Sequence, residues 1–261
     1  MNWGWRRWAI GLLALLLLVL FHSSLLFPPR ALTMEDRPCA PVAGTTQKVP
    51  RGDWAAICAY HEDNARLIAA GIRPQLVLFG DSLVQDWGEH QPALFGDEWA
   101  GRGVRGQGTT RMLARFRSDV IALKPQAVII VAGTNDLVAA DTRIGPEQTM
   151  ANIETLVDLA QANGISVILT TLPPAQRFSN RPGFAPQPYV ARLNQQLREL
   201  AQRRGLALAD FHAALVAPGG TAYRAGFSED GVHPNAAAYR SLEPVVRTAL
   251  AEAEARRNKA Q

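Results

Sequence analysis

The chain has 261 residues, 48% of them apolar and 19% charged, and a formal net charge of +4. That balance excludes a short peptide or a disordered tail and fits one catalytic-size domain with additional segments. The positive charge is small, and Arg102, Arg105, Arg111, Arg115 and Arg117 are scattered rather than concentrated with aromatic residues into one stripe, so no nucleic-acid partner is expected.

In chain order, Arg6 and Arg7 precede an almost uninterrupted apolar run from Trp8 to Phe21, which can be extended to Phe27. The shorter span has the length of a signal-peptide core, the longer one that of a membrane span. Residues 1–33 are therefore expected to direct export, either as an anchor retained in a bacterial inner membrane with the catalytic domain in the periplasm, or as a cleaved signal releasing a secreted protein. Pro28-Pro29-Arg30 reads as a helix stop at a membrane face, and Ala31-Leu32-Thr33 is a poor cleavage site, which favours the anchor. Arg6 and Arg7 then face the cytoplasm. Residues 34–54 contain Pro38, Pro41, Gly44 and Pro50 and read as a linker. In an oxidising compartment Cys39 and Cys58 form a candidate disulfide, with two free buried thiols as the alternative.

Residues 55–261 are predicted to form the folded domain. A helix is expected from Ala55 to about Ala70, ended by Gly71, and Pro74 introduces the apolar run Gln75–Phe79. Similar runs recur at Ala127–Val131, Ile165–Leu169 and Leu206–Ala209, and a second strand is expected just before the glycine-rich stretch Gly101–Gly108. Continuous rather than alternating apolarity suits strands buried on both faces. Helices are predicted from Pro146 to Gly164, from Gln187 to Gly205, and from Ala236 to Ala253, the last kinked or split by Pro244, with the chain fraying after Leu250. Strands alternating with helices imply a mainly parallel sheet of roughly five strands in a three-layer α/β/α fold, with functional residues beyond the carboxyl ends of the strands.

Three short motifs fall there. Gly80-Asp81-Ser82-Leu83 follows the first strand and presents a hydroxyl at a strand-to-helix turn. Gly133-Thr134-Asn135-Asp136 ends another strand and brings a side-chain amide to the same edge. Asp230-Gly231-Val232-His233 places a carboxylate three residues before an imidazole, the pairing a serine hydroxyl needs for activation. Each motif alone is also an ordinary turn or helix cap. The remaining histidines, His22, His61, His90 and His212, form no ligand-spaced cluster with His233, so no metal is expected. The glycine-rich stretch lacks a phosphate-loop or dinucleotide pattern, so no cofactor is expected.

Together these residues resemble the SGNH, or GDSL, hydrolases, which include bacterial esterases of the lysophospholipase and thioesterase type. Gly80–Leu83 is similar to the family's first block, Gly106 to the glycine of the second, Gly133–Asp136 to the third and Asp230–His233 to the last; the likeness runs from Gln75 to the end of the chain. The resemblance implies a flavodoxin-like SGNH fold. It further implies Ser82 as nucleophile, His233 as general base and Asp230 as its orienting partner, with the N–H groups of Ser82 and Gly106 and the Asn135 amide as oxyanion donors. The expected activity is hydrolysis of a small-molecule, lipid or glycan ester. Transfer of the acyl group to a glycan hydroxyl, or a membrane-tethered binding role without turnover, are the alternatives. One departure is that Gly101 stands where many relatives carry Asn at the head of the second block. Phe178, Phe184 and Tyr189 are candidates for an acyl pocket, or for simple loop packing.

Overall fold

A computed structural model of the protein describes Cys39 and residues 52–137, 144–179 and 181–260. The chain divides into two units, Met1–Ala40 and Pro41–Gln261, and all elements below belong to the second. The apolar run Trp8–Phe27 and most of the linker at 34–54 lie outside the described residues. Among the described residues no helix is long and apolar enough to cross a membrane.

Five strands, β1 (Leu76–Gly80), β2 (Trp99–Gly103), β3 (Ala127–Val131), β4 (Ser166–Thr170) and β5 (Ala207–Ala209), form one sheet in the order β2-β1-β3-β4-β5. Every pairing is parallel, with Leu78 opposite Gly101 on one side and Ile129 on the other. Parallel neighbours need crossovers, which are supplied by α2 (Ser82–His90), α3 (Thr109–Asp119), α4 (Pro146–Ala162) and α5 (Gln187–Arg204), while α1 (His61–Ala69) precedes β1 and α6 (Phe211–Leu215) and α7 (Ala236–Ala260) follow β5.

The strands read as unbroken apolar runs because alternate residues enter two different cores. Val77, Phe79, Val128 and Ile130 pack with Leu67, Met112, Phe116, Leu156, Val157, Leu193 and Leu197 from α1, α3, α4 and α5. Leu76, Leu78, Ile129 and Val131 pack on the opposite face with Val84, Trp87, Phe211, Tyr239, Leu242 and Val246 from α2, α6 and α7. Trp87 stacks on Tyr239 at 5.4 Å and meets Phe211 edge-on at 6.0 Å. Truncating such a side chain to alanine typically costs about 3–5 kcal/mol.

The predicted three-layer parallel fold is the one observed, and three local expectations are corrected. The first helix begins at His61, not Ala55. The Asp53 carboxylate accepts the N–H groups of Ile57 and Cys58, both at 2.8 Å, and Ala56 adopts φ +53°, so the chain turns there instead of winding. The glycine-rich stretch starts within β2 rather than after it. Small residues belong in that strand because α2 lies directly on it: a Cβ at Gly103 would come within 2.3 Å of the Gln85 nitrogen. Finally, α7 runs unbroken through Pro244 to Ala260. Its buried stripe of Ala238, Leu242, Val246, Ala249 and Ala253 continues on both sides of the proline, and packing that whole face offsets the lost backbone hydrogen bond.

The order β2-β1-β3 reverses the direction of strand addition between β1 and β3. Ligand sites in open parallel sheets form beyond the carboxyl ends of the strands at such a reversal. The residues following β1 and β3 are Asp81-Ser82 and, four positions on from Val131, Asn135.

Candidate active site

Ser82 is the first residue of α2, and the Asp81 carboxylate accepts the Leu83 N–H at 2.9 Å as that helix's cap. At this position the Ser82 N–H has no carbonyl a turn earlier in the helix to bond. Its hydroxyl oxygen lies 3.2 Å from Nε2 of His233, and Nδ1 of the same ring lies 2.7 Å from Oδ2 of Asp230. The three side chains thus form one continuous hydrogen-bonded row. Such a row can withdraw a proton from the hydroxyl while the carboxylate fixes the imidazole.

The turn carrying the acid and the imidazole is tightly held. Oδ1 of Asp230 accepts the backbone N–H groups of Val232 and His233, both at 2.8 Å, leaving Oδ2 to face the ring. Gly231 donates its N–H to the Ser228 hydroxyl at 3.0 Å and its carbonyl accepts from the Gln176 N–H at 2.9 Å. The Tyr223 hydroxyl reaches the Val232 carbonyl at 2.7 Å from a buried position that pushes its pKa well up. Partial burial by itself would raise the Asp230 pKa. The hydrogen bonds from the His233 ring and from the two backbone N–H groups outweigh it and bring the carboxylate to about 2.

Gly106 and Asn135 flank the serine across a cleft of about 410 Å³, whose walls also include Leu83, Arg105, Thr134, Arg177, Phe178, Asp230, Val232 and His233. Gly106 sits at φ +77°, a left-handed conformation that glycine adopts without strain, in a turn closed by the Gln107 N–H on the Val104 carbonyl at 3.2 Å. The sequence-predicted residues Ser82, Gly106, Asn135, Asp230 and His233 are therefore all brought together. Of the three aromatic candidates only Phe178 reaches the cleft. Phe184 stacks behind it at 6.3 Å and Tyr189 packs on Phe184 at 5.1 Å, so these two serve the loop.

Residues 78–241, a span that holds this whole site, match the GDSL-like lipase/acylhydrolase family. The chain belongs to this family. A candidate acylhydrolase from Bacteroides fragilis is 34% identical, with a TM-score of 0.71 over 76% of this chain and 97% of that one. A GDSL-like lipase from Bacteroides thetaiotaomicron is 30% identical, with the same TM-score of 0.71 over 76% and 98%. An acetylxylan esterase from Geobacillus stearothermophilus shares the fold at 19% identity, with a TM-score of 0.53 over 69% and 95%. No curated protein matches the chain. The GDSL hydrolase is thus a carboxylic ester hydrolase.

Three further residues of this GDSL hydrolase, two of them within the motifs but given no role there, hold the site together. Asp136, next to Asn135, is buried and accepts the Thr109 backbone N–H at 3.0 and 3.1 Å and the Thr109 hydroxyl at 2.5 Å, tying the β3 loop to the start of α3. Arg115 is wholly buried. It donates to the carbonyls of Gly80 at 2.7 Å and Arg102 at 3.0 Å, to Gln107 at 2.5 Å and to Asp119 at 2.8 Å, and its guanidinium lies over Phe79. It therefore joins the end of β1, the strand β2 and the Gly106 turn. Its signal in the sequence is the i,i+4 pairing Arg115/Asp119 on the same face of α3 as Met112 and Phe116. Asp81 is fully buried, and desolvation raises its pKa to about 6 against the lowering by the Leu83 and Asn135 hydrogen bonds. Neither cysteine is a free thiol.

Proposed function

We propose that the GDSL hydrolase cleaves carboxylic esters through an acyl-serine intermediate on Ser82. The observation that carries this reading is the row Ser82 Oγ, His233, Asp230, with contacts of 3.2 and 2.7 Å. Ser82 attacks the ester carbonyl while His233 Nε2 takes its proton, and the imidazolium formed is stabilised by the Asp230 carboxylate. The carbonyl oxygen becomes an oxyanion held by the Ser82 N–H, the Gly106 N–H and the Asn135 amide. Collapse expels the alcohol, which receives the proton from His233. Water, deprotonated in turn by His233, then releases the acid and restores the serine. A cleft of about 410 Å³ is near the small end of ligand pockets, which supports short acyl groups as substrates, in keeping with the acetylxylan esterase among the fold's relatives. Steady-state rates on 4-nitrophenyl esters of increasing chain length test this: turnover should be highest for acetyl to butyryl groups and fall for long chains.

We also infer export of the enzyme, from Arg6-Arg7 followed by the apolar run Trp8–Phe27. Fractionation of expressing cells should recover the activity with the membrane and expose it to protease added outside the inner membrane; activity confined to the cytosol contradicts export.

A further inference from the structure

Four ionisable side chains line the cleft: Arg105, Arg177, Asp230 and His233. Asp230 and His233 hold one another. Arg105 donates to Asp86, a carboxylate largely buried under it on α2. Beneath the floor, Asp81 is bonded to Asn135 and Asp136 to Thr109. Arg177 stands apart. It is exposed on the segment after β4, beside Phe178 and Ser179, which share the cleft wall, and among the described residues it makes no ion pair or hydrogen bond. Elsewhere on the same domain Arg192 pairs with Glu147, Arg203 with Glu154 and Arg247 with Glu243; Arg73, Arg117 and Arg240 are exposed without an ion pair among the described residues as well, but none of them lines the cleft.

A guanidinium is always charged and presents a planar fork of donors that fits a carboxylate in two parallel hydrogen bonds. We propose that Arg177 is a specificity residue that binds an anionic group of the substrate, so that the preferred esters carry a carboxylate or similar anion a few atoms from the scissile bond, on the acyl or the alcohol side. Arg105, already engaged by Asp86, reinforces the positive potential on that wall without being the primary contact. The inference rests on the ester-hydrolase reading of the same cleft and narrows its substrate class.

The test uses the full chain in detergent and pairs of esters that differ in charge. On the alcohol side the pair is 4-acetoxybenzoate and neutral 4-acetoxybenzamide; on the acyl side it is 4-nitrophenyl hydrogen glutarate and neutral 4-nitrophenyl pentanoate. Wild-type kcat/KM should favour the anionic member of at least one pair by about five- to tenfold, the scale of a partly exposed charge-assisted contact. The preference should weaken at high salt. Arg177→Gln should bring that ratio close to one, chiefly through KM, and Arg177→Lys should restore part of it. Equal ratios in wild type and Arg177→Gln for both pairs, or a loss in Arg177→Gln that is the same for charged and neutral members, would overturn the assignment. A Ser82→Ala variant that still hydrolyses all four esters would instead defeat the underlying catalytic reading, so the two failures are distinguishable.

Discussion

Nδ2 of Asn135 donates to Oδ2 of Asp81 at 2.8 Å, across the two loops that leave β1 and β3. The other carboxylate oxygen of Asp81 caps α2 through the Leu83 N–H at 2.9 Å. One buried acid therefore fixes both the helix that carries Ser82 and the amide proposed to hold the oxyanion. An amide has two N–H donors, so the second remains available to the substrate.

Removing the amide removes a donor that acts mainly on the transition state. Asn135→Ala should lower kcat by about 10²–10³ with little change in KM, and its urea midpoint should stay near that of wild type. Loss of the Asp81 partner acts indirectly. Asp81→Ala should lower kcat by less than Asn135→Ala does, and Asp81→Asn, which keeps an acceptor oxygen, by less again. Near-normal turnover in Asn135→Ala excludes the amide from the oxyanion site.

Burial of Asp81 has a thermodynamic signature of its own. Its folded pKa, about 6, lies above the ordinary 3.8, so the folded protein binds this proton more tightly than the unfolded chain. The resulting contribution to stability is complete below pH 3.8 and is lost as pH rises through 6. Asp81→Asn cannot titrate. Its stability relative to wild type should improve by about 2 kcal/mol between pH 4 and pH 7, and a difference that does not vary with pH contradicts the assignment.

Asp230 behaves in the opposite sense. Its folded pKa of about 2 lies below the ordinary 3.8, so its contribution to stability is present above 3.8 and lost as pH falls toward 2. The Asp230 carboxylate therefore stays ionised above pH 4, whereas Asp81, with a pKa of about 6, changes charge within the working range. Asp230→Asn should lose on the order of 10⁴ in kcat through misorientation of the ring. Near-normal turnover in Asp230→Asn contradicts its role in orienting the His233 ring.

Much of this organisation was legible in the sequence. The strands were visible because a parallel sheet covered on both faces turns each strand into a short continuous apolar run, as at Ala127–Val131. The site was visible because Ser82, Gly106 and Asn135 follow the ends of β1, β2 and β3, and Asp230 and His233 carry their own pairing three residues apart. What escaped was whatever depended on long-range partners. Arg115 looks like a surface arginine until Asp119, Gln107 and the Gly80 carbonyl enclose it. Asp136 looks like a turn residue until Thr109 comes to meet it. The start of α1 was misplaced because Asp53 diverts the chain into a turn through side-chain bonds that periodicity does not register.

Arg115 itself offers a stability test. Both members of its pair with Asp119 are fully buried, and removing one partner of a buried pair typically costs about 3–5 kcal/mol. Arg115→Ala should lose that much in urea denaturation, together with kcat, because the Gly106 turn is released. A surface-like loss under 1 kcal/mol contradicts the enclosure described.

The cysteines are checked simply. The unreduced protein should titrate no thiols and the reduced, unfolded protein both Cys39 and Cys58; two reactive thiols before reduction contradict the oxidised state.

The central claim, an acyl-serine on Ser82, is tested most directly by mass spectrometry of the intact chain quenched in acid during turnover of 4-nitrophenyl butyrate. Wild type should carry one butyryl group, mapped by peptide digestion to Ser82, and Ser82→Ala should carry none and hydrolyse no ester above background. A wild type that stays unmodified at early times while releasing 4-nitrophenol under conditions that slow deacylation, or a Ser82→Ala variant that retains hydrolysis, would contradict it.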